Sequence, residues 1–250
     1  MKMFIILISC LFFSSPTLAG TLIIGDSHVV GPFGEHLHKY FNEVAQENVR
    51  TVGLAGGTAR SFTDPSEAKR TLSFGFADRK NEKQKTVSGG TKATAPLLSD
   101  LLEEEKPQRV IIELGDNFAD YKTPNAQSDK TVIAQVKQIT ETLNKNKFNG
   151  KCYWVTPTWT DKANSKPYFK SNMRLTRVIE IIRSEAAPRC QVIDSTTEIG
   201  IGENDIKTTS DGLHFDSKNG AKWARGVADR IREIEASTSK SGAKNPAGVK

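Results

Sequence analysis

The sequence predicts an α/β fold: a three-layer sandwich with helices on both sides of a mostly parallel, five-stranded sheet. Two observations predict it. Short apolar runs alternate along the chain with stretches whose apolar residues recur at helical spacing, the pattern of strand–helix units. Each helical stretch also has a single apolar side to lay on the sheet. At 250 residues the chain is long enough for one well-filled core, and nothing in its length demands two domains.

Taken in order, the predicted strands are 21–26, 49–54, 109–114, 152–156 and 190–194. Phe33, Leu37, Tyr40, Phe41 and Val44 form the apolar face of the helix after the first strand. Val132, Val136, Ile139 and Leu143 form a second face, Leu175, Val178, Ile179 and Ile182 a third, and Trp223, Val227, Ile231 and Ile234 a fourth. Residues 60–95, with Phe74, Phe76, the Lys80 to Lys85 stretch and Ser88-Gly89-Gly90, have no sustained helical period. They are read as an insertion in the domain spanning 20–235, a hairpin or flap beside the sheet or a solvated loop without a role.

Residues 1–19 read as a secretory signal, with Lys2 at the charged start, an apolar stretch from Met3 to Phe13 and a small-residue cleavage site, Thr17-Leu18-Ala19, before Gly20. Leu7-Ile8-Ser9-Cys10 has the look of a lipidation box, but only a few apolar residues precede Cys10. The apolar run is short for a membrane span, so the expected product is periplasmic or secreted, with no stable span after cleavage. Formal net charge is +6. Residues 1–19 hold one lysine and no acid, which leaves +5 for the remainder. Basic and acidic residues are interspersed, without an arginine stripe or recognition motif, which argues against nucleic acid as a partner. Residues 236–250, rich in Ser, Gly, Ala and Lys, read as a disordered tail. Cys152 and Cys190 each open an apolar run; on neighbouring parallel strands they would lie level, so a disulfide is expected, two buried thiols being the alternative.

In an open parallel sheet, functional residues gather past the carboxyl ends of the strands. Those ends carry Asp26-Ser27-His28, Ala55-Gly56-Gly57-Thr58, Gly115-Asp116-Asn117 and Pro157-Thr158-Trp159. Ser210-Asp211-Gly212-Leu213-His214 precedes the last helix. A serine at a strand-to-helix turn together with Asp-x-x-His supplies the three side chains of a hydrolytic triad. The blocks Gly25-Asp26-Ser27, Gly56, Gly115-x-Asn117 and Asp211-x-x-His214, in this order, resemble those of the SGNH hydrolases, the GDSL-type esterases. The resemblance extends over nearly the whole chain after the signal, up to the last helix, and implies a flavodoxin-like SGNH hydrolase fold and ester hydrolysis without a cofactor or metal. Ser27 would be the nucleophile, His214 the general base and acid, and Asp211 the residue that holds the imidazole tautomer. The Ser27 and Gly56 N–H groups and the Asn117 amide would form the oxyanion hole.

The chain departs from the family pattern around Asn117: Asp116 precedes it and Phe118 follows where the family usually has aspartate. With Trp159, these two are the candidate substrate-binding residues, and Tyr168 and Phe169 are further aromatics able to stack on a sugar. His28 reads as a packing or supporting histidine. His36 and His38 are two apart on a helix and so make no metal pair. No Cys/His cluster has zinc spacing, and Gly53, Gly56 and Gly57 do not make a dinucleotide-binding loop. The expected protein is a monomeric, exported esterase removing acyl groups, acetyl above all, from an envelope glycan such as peptidoglycan or another polysaccharide, or from a small ester. Three alternatives stand beside it: a lipid esterase, a glycan-cleaving enzyme using Glu113 or Asp116, and an inactive envelope-binding module.

Overall fold

The structure is a computed structural model that describes residues 20–72, 75–87, 91–118, 126–160, 172–207 and 211–242. Residues 1–19, Phe74, Ser88-Gly89-Gly90, Tyr168, Phe169 and the segment beyond residue 242 lie outside the described residues.

The chain opens with β1 (Gly20–Gly25), the four-residue α1 (Ser27–Val30) and α2 (Pro32–Lys39), which runs into a π-helical turn, Tyr40–Val44. Pro32 supplies the fixed φ of a first helical turn, where its missing N–H costs nothing. Strand β2 (Asn48–Leu54) is followed by α3 (Ala59–Thr63), α4 (Pro65–Ala68), β3 (Lys69–Leu72), β4 (Phe76–Lys80), β5 (Lys83–Val87) and β6 (Thr91–Thr94). Helix α5 (Leu98–Glu105), β7 (Arg109–Glu113), α6 (Ala126–Lys145), β8 (Lys151–Val155) and α7 (Asn172–Ala186) come next. Strand β9 (Gln191–Ile193), α8 (Glu203–Lys207) and α9 (Ser217–Gly242) complete the described chain.

The main sheet has the order β5-β4-β2-β1-β7-β8-β9. Its five strands from β2 to β9 are parallel, as expected. Two more strands join them: the hairpin β4–β5 from the 60–95 segment runs antiparallel along β2 and makes the sheet seven-stranded. These strands carry Asp78, Arg79, Lys80, Lys83 and Lys85, so no apolar run announced them. Charged residues suit an outer hairpin, where lysines also discourage pairing with a further chain. The same segment supplies a separate two-stranded sheet, β3 with β6.

Successive residues of β1 point to opposite faces. Leu22 and Ile24 pack with Val110, Ile112, Trp154 and the apolar sides of α5, α6 and α7. Ile23 packs instead with Ile111, Tyr153, Val155 and the faces of α2 and α9. A strand buried on both sides needs consecutive apolar residues, and β1 and β7 carry them at their centres, Leu22-Ile23-Ile24 and Val110-Ile111-Ile112. On the second face Phe33 of α2 stacks on Trp223 of α9 with ring centroids 3.9 Å apart. The helices meet closely there: a Cβ on Gly220 would lie 2.7 Å from the Pro32 side chain.

Tyr153 pairs with Gln191 in the parallel register of β8 and β9, which sets Cys152 beside Cys190, and the two are joined in a disulfide with their Cα atoms 4.4 Å apart. The last helix corrects one boundary. It runs to Gly242, so residues 236–242 of the expected disordered tail are helical. Once Trp223, Val227 and Ile231 anchor the helix in the core, each added residue gains a backbone hydrogen bond at the small cost of propagation.

The sheet order reverses between β1 and β7. From β1 the chain winds outward to β2 on one side and later returns to β7 on the other. Loops leaving the carboxyl ends of these neighbours diverge and leave a crevice, the place where open α/β sheets bind ligands.

Candidate active site

Ser27 is the first residue of α1, directly after β1. Asp26 caps that helix by accepting the His28 N–H at 3.0 Å, which keeps Ser27 at the turn itself. His214 Nε2 lies 2.9 Å from Ser27 Oγ, and His214 Nδ1 lies 2.6 Å from Asp211 Oδ2. An ionised Asp211 accepts from Nδ1–H, which leaves the Nε2 lone pair for the serine proton. Asp211 Oδ1 also accepts the backbone N–H groups of Leu213 and His214, at 2.9 and 2.8 Å. Burial pushes the Asp211 carboxyl upward, but the His214 N–H, the His214 ring and the Leu213 N–H outweigh it and hold the carboxyl down at about 2.

The loop that presents this pair is itself fixed. Thr160 Oγ1 donates to the Gly212 carbonyl at 3.1 Å, and Gly212 has φ +68°, a conformation glycine adopts without strain. Asp216 then starts α9 by accepting the Asn219 N–H at 2.8 Å.

Ser27, Asp211 and His214 line a cleft of about 420 Å³ together with Gly56, Asn117, Val30, Pro32, Phe33, Leu213 and Phe215. Gly56 sits at φ +71° in the turn after β2. The backbone N–H groups of Ser27 and Gly56 donate to no carbonyl among the described residues. Asn117 gives one amide N–H to Asp26 Oδ2 at 3.2 Å and keeps a second. Three donors thus border the same cleft as the serine, which is what charge developing on a carbonyl oxygen requires.

The three expected substrate-binding residues lie elsewhere. Phe118 is 1% exposed and packs edge-on to Trp154 in the core, because the chain turns inward after Asn117. Trp159 packs against Leu175 and Ile179 of α7 and is not among the residues lining the cleft. Asp116 is buried and meets His28 Nε2 at 2.7 Å, so its carboxylate points at a histidine and not at the oxyanion site. Glu113 is fully buried and does not line the cleft either.

Arg79 of β4 was invisible as a site residue in the sequence. Its guanidinium is buried and donates to the carbonyls of Val29 and Val30, at 3.0 and 2.7 Å, at the end of the helix that begins with Ser27. Burial lowers its pKa, with Glu35 acting weakly in the other direction. A Cβ on Gly53 would lie 2.5 Å from the Val30 nitrogen, so β2 presses directly on the same short helix. Among the described residues there is no group of His, Cys, Asp and Glu able to hold a metal ion.

No protein-family model matches the chain. Protein BcsX from Komagataeibacter xylinus is 30% identical over 218 residues, which cover 86% of this chain and 77% of BcsX. The lipase/acylhydrolase from Enterococcus faecalis shares the fold with a TM-score of 0.54 and 16% identity, over 87% of this chain and 97% of that one. An acetylxylan esterase from Geobacillus stearothermophilus, solved as a catalytic mutant, matches with a TM-score of 0.53 and 14% identity, over 85% of this chain and 94% of its own.

Proposed function

The chain belongs to the same family as Protein BcsX and has the fold of the SGNH hydrolases, and we propose that it is an exported serine esterase that removes acyl groups, acetyl above all, from an envelope glycan. The observation that carries this reading is the hydrogen-bonded series Asp211, His214, Ser27 beside a cleft bordered by the Ser27 and Gly56 N–H groups and the Asn117 amide.

In the first half-reaction Ser27 Oγ attacks the ester carbonyl carbon while its proton passes to His214 Nε2, and the carbonyl electron pair moves onto the oxygen. That oxyanion is held by the three donors. As the tetrahedral intermediate collapses, the imidazolium gives its proton to the leaving alcohol oxygen, and the acyl group stays on Ser27. Water then attacks the acyl carbon with His214 as base, releasing the carboxylic acid and free Ser27. Asp211 remains ionised throughout and stabilises the imidazolium.

Several observations favour a small acyl group on a polar alcohol. The large hydrophobic residues exposed among those described are Val44 and Met173, neither of which lines the cleft, so the described residues form no broad apolar rim of the kind a lipid interface calls for. Glu113 and Asp116 are buried and do not line the cleft, which takes from the glycan-cleaving reading the two carboxylates it would use. The acetylxylan esterase of like fold is a protein that deacetylates a polysaccharide. Export rests on the signal-like residues 1–19 and is supported by the Cys152–Cys190 disulfide, which needs an oxidising compartment. No helix among the described residues is long and apolar enough to cross a membrane.

The test is hydrolysis of an aryl acetate and of O-acetylated polysaccharide by purified protein. Acetate release that vanishes in Ser27→Ala is expected, with rates falling as the acyl chain lengthens. Undiminished turnover in Ser27→Ala would remove Ser27 as nucleophile, and new glycan chain ends without acetate release would favour glycan cleavage.

A further inference from the structure

Ser27 opens α1 and Asn117 stands on the loop after β7, yet in the proposed reaction they must face one oxygen atom. The backbone ladder between β1 and β7 ends with the Asp26 N–H donating to the Glu113 carbonyl at 3.2 Å. Beyond that point two side-chain bonds cross the gap. Asn117 Nδ2 donates to Asp26 Oδ2 at 3.2 Å, and His28 Nε2 meets Asp116 Oδ2 at 2.7 Å. The residue before the serine is therefore tied to the asparagine, and the residue after the serine is tied to the residue before the asparagine. The histidine pair is sealed from water, both side chains being 2% exposed. The His28 ring is also wedged, edge-on to Trp223 at 5.2 Å and within 5.7 Å of the His214 ring.

We propose that His28 and Asp116 are positioning residues that fix the distance between the nucleophile at the start of α1 and the oxyanion donor on the loop after β7. The proposal rests on reading Ser27 and Asn117 in those roles. A hydrogen bond to a carboxylate is short and directional, and packing on the His28 ring leaves it no room to drift. The Ser27 and Gly56 N–H groups are set by backbone, whereas Asn117 is carried by a loop whose placement depends on this crossing. A misplacement of roughly 1 Å costs on the order of 10²-fold in rate. Asp116 thereby acts through His28, and the departure from the usual asparagine block becomes a pairing between residues 88 apart in sequence.

The experiment compares His28→Leu, His28→Gln, Asp116→Leu and the Leu/Leu double variant, using aryl acetate kinetics and the Asn117 side-chain amide signal in ¹⁵N-edited NMR. His28→Leu is expected to lower kcat by about 10²-fold with little change in KM and to shift the Asn117 signal. His28→Gln, whose amide can still donate to Asp116, should recover most of both. The double variant should lose no more than either single one, as members of one unit do. Unchanged kcat with an unmoved Asn117 signal in His28→Leu overturns the proposal, as does equal loss in the Leu and Gln variants with that signal unmoved. Should His28→Leu not fold, His28→Gln against Asp116→Ala decides it, because loss of the acceptor must then lower kcat and move the Asn117 signal. Absence of Ser27-dependent hydrolysis in the unmodified protein would defeat the esterase reading instead, while the Asn117 signal would still report whether the brace sets that side chain.

Discussion

In the proposed reaction Asn117 is the oxyanion donor that can be removed without touching the backbone. Asn117→Ala deletes the amide and is expected to lower kcat by about 10²–10³-fold while leaving KM near its original value. Steady-state kinetics on an aryl acetate checks this. Asp211 makes a second prediction, from its depressed pKa. Its folded carboxyl titrates at about 2, below the ordinary 3.8, so the bonds made by its ionised form are fully present above about pH 4 and are lost only as pH falls through 2. A pH–rate profile should therefore contain no step from Asp211 above about pH 4, and a ¹³C titration of its carboxyl should stay flat there. At this scale the sequence pointed to the five residues that share the cleft, Ser27, Gly56 and Asn117 by residue type at a strand end and Asp211 and His214 by their spacing before the last helix. It was unreadable where burial decides. Trp159 was expected at substrate because aromatics stack on sugars, and Phe118 because it follows Asn117 where the family usually has aspartate, but α7 claimed the first and the core the second. The His28–Asp116 contact joins α1 to the loop after β7 and leaves no local pattern.

The short helix α1 has too few residues to hold itself, and its neighbours do so. Gly53 and Gly34 let backbone approach where a Cβ would lie 2.5 Å from the Val30 nitrogen and 2.0 Å from the Val29 oxygen. Arg79 closes its far end through the carbonyls of Val29 and Val30. Arg79→Met would leave those two acceptors without their charged donor, an expected loss of about 2–4 kcal/mol, visible in urea unfolding and accompanied by lower kcat. The hairpin carrying Arg79 thus has a task in the site that its composition did not disclose. The five parallel strands were legible because burial on both faces demands apolar runs. The hairpin was not, because outer strands keep polar residues, and the helical extension to Gly242 was hidden by a Ser- and Lys-rich composition.

Across the whole molecule, the two ends of the sheet do different work. At the carboxyl ends lie the cleft and its hydrogen-bond donors. At the opposite end Arg109 bonds Glu47 at 2.6 Å and grips Glu235 of α9 with two nitrogens, at 3.0 and 2.8 Å, while Tyr153 donates to the same Glu235 at 3.0 Å. Burial would raise the Glu235 pKa, but Arg109 more than offsets it, so the last helix stays tied to the sheet across neutral pH. The disulfide secures the outer strand β9 to β8 across a separation of 38 residues, a constraint of about 4 kcal/mol in the chain-entropy model. Replacing both cysteines by serine should lower unfolding stability by about that amount and abolish its dependence on reductant; denaturant melts with and without reductant measure both. The proposed reaction turns on Ser27 being an activated nucleophile. Its most direct test is labelling of the folded protein with a fluorophosphonate, followed by peptide mass analysis. A single adduct on Ser27, lost in His214→Ala, is the predicted result; folded protein that takes no label, or takes it on another residue, would contradict it.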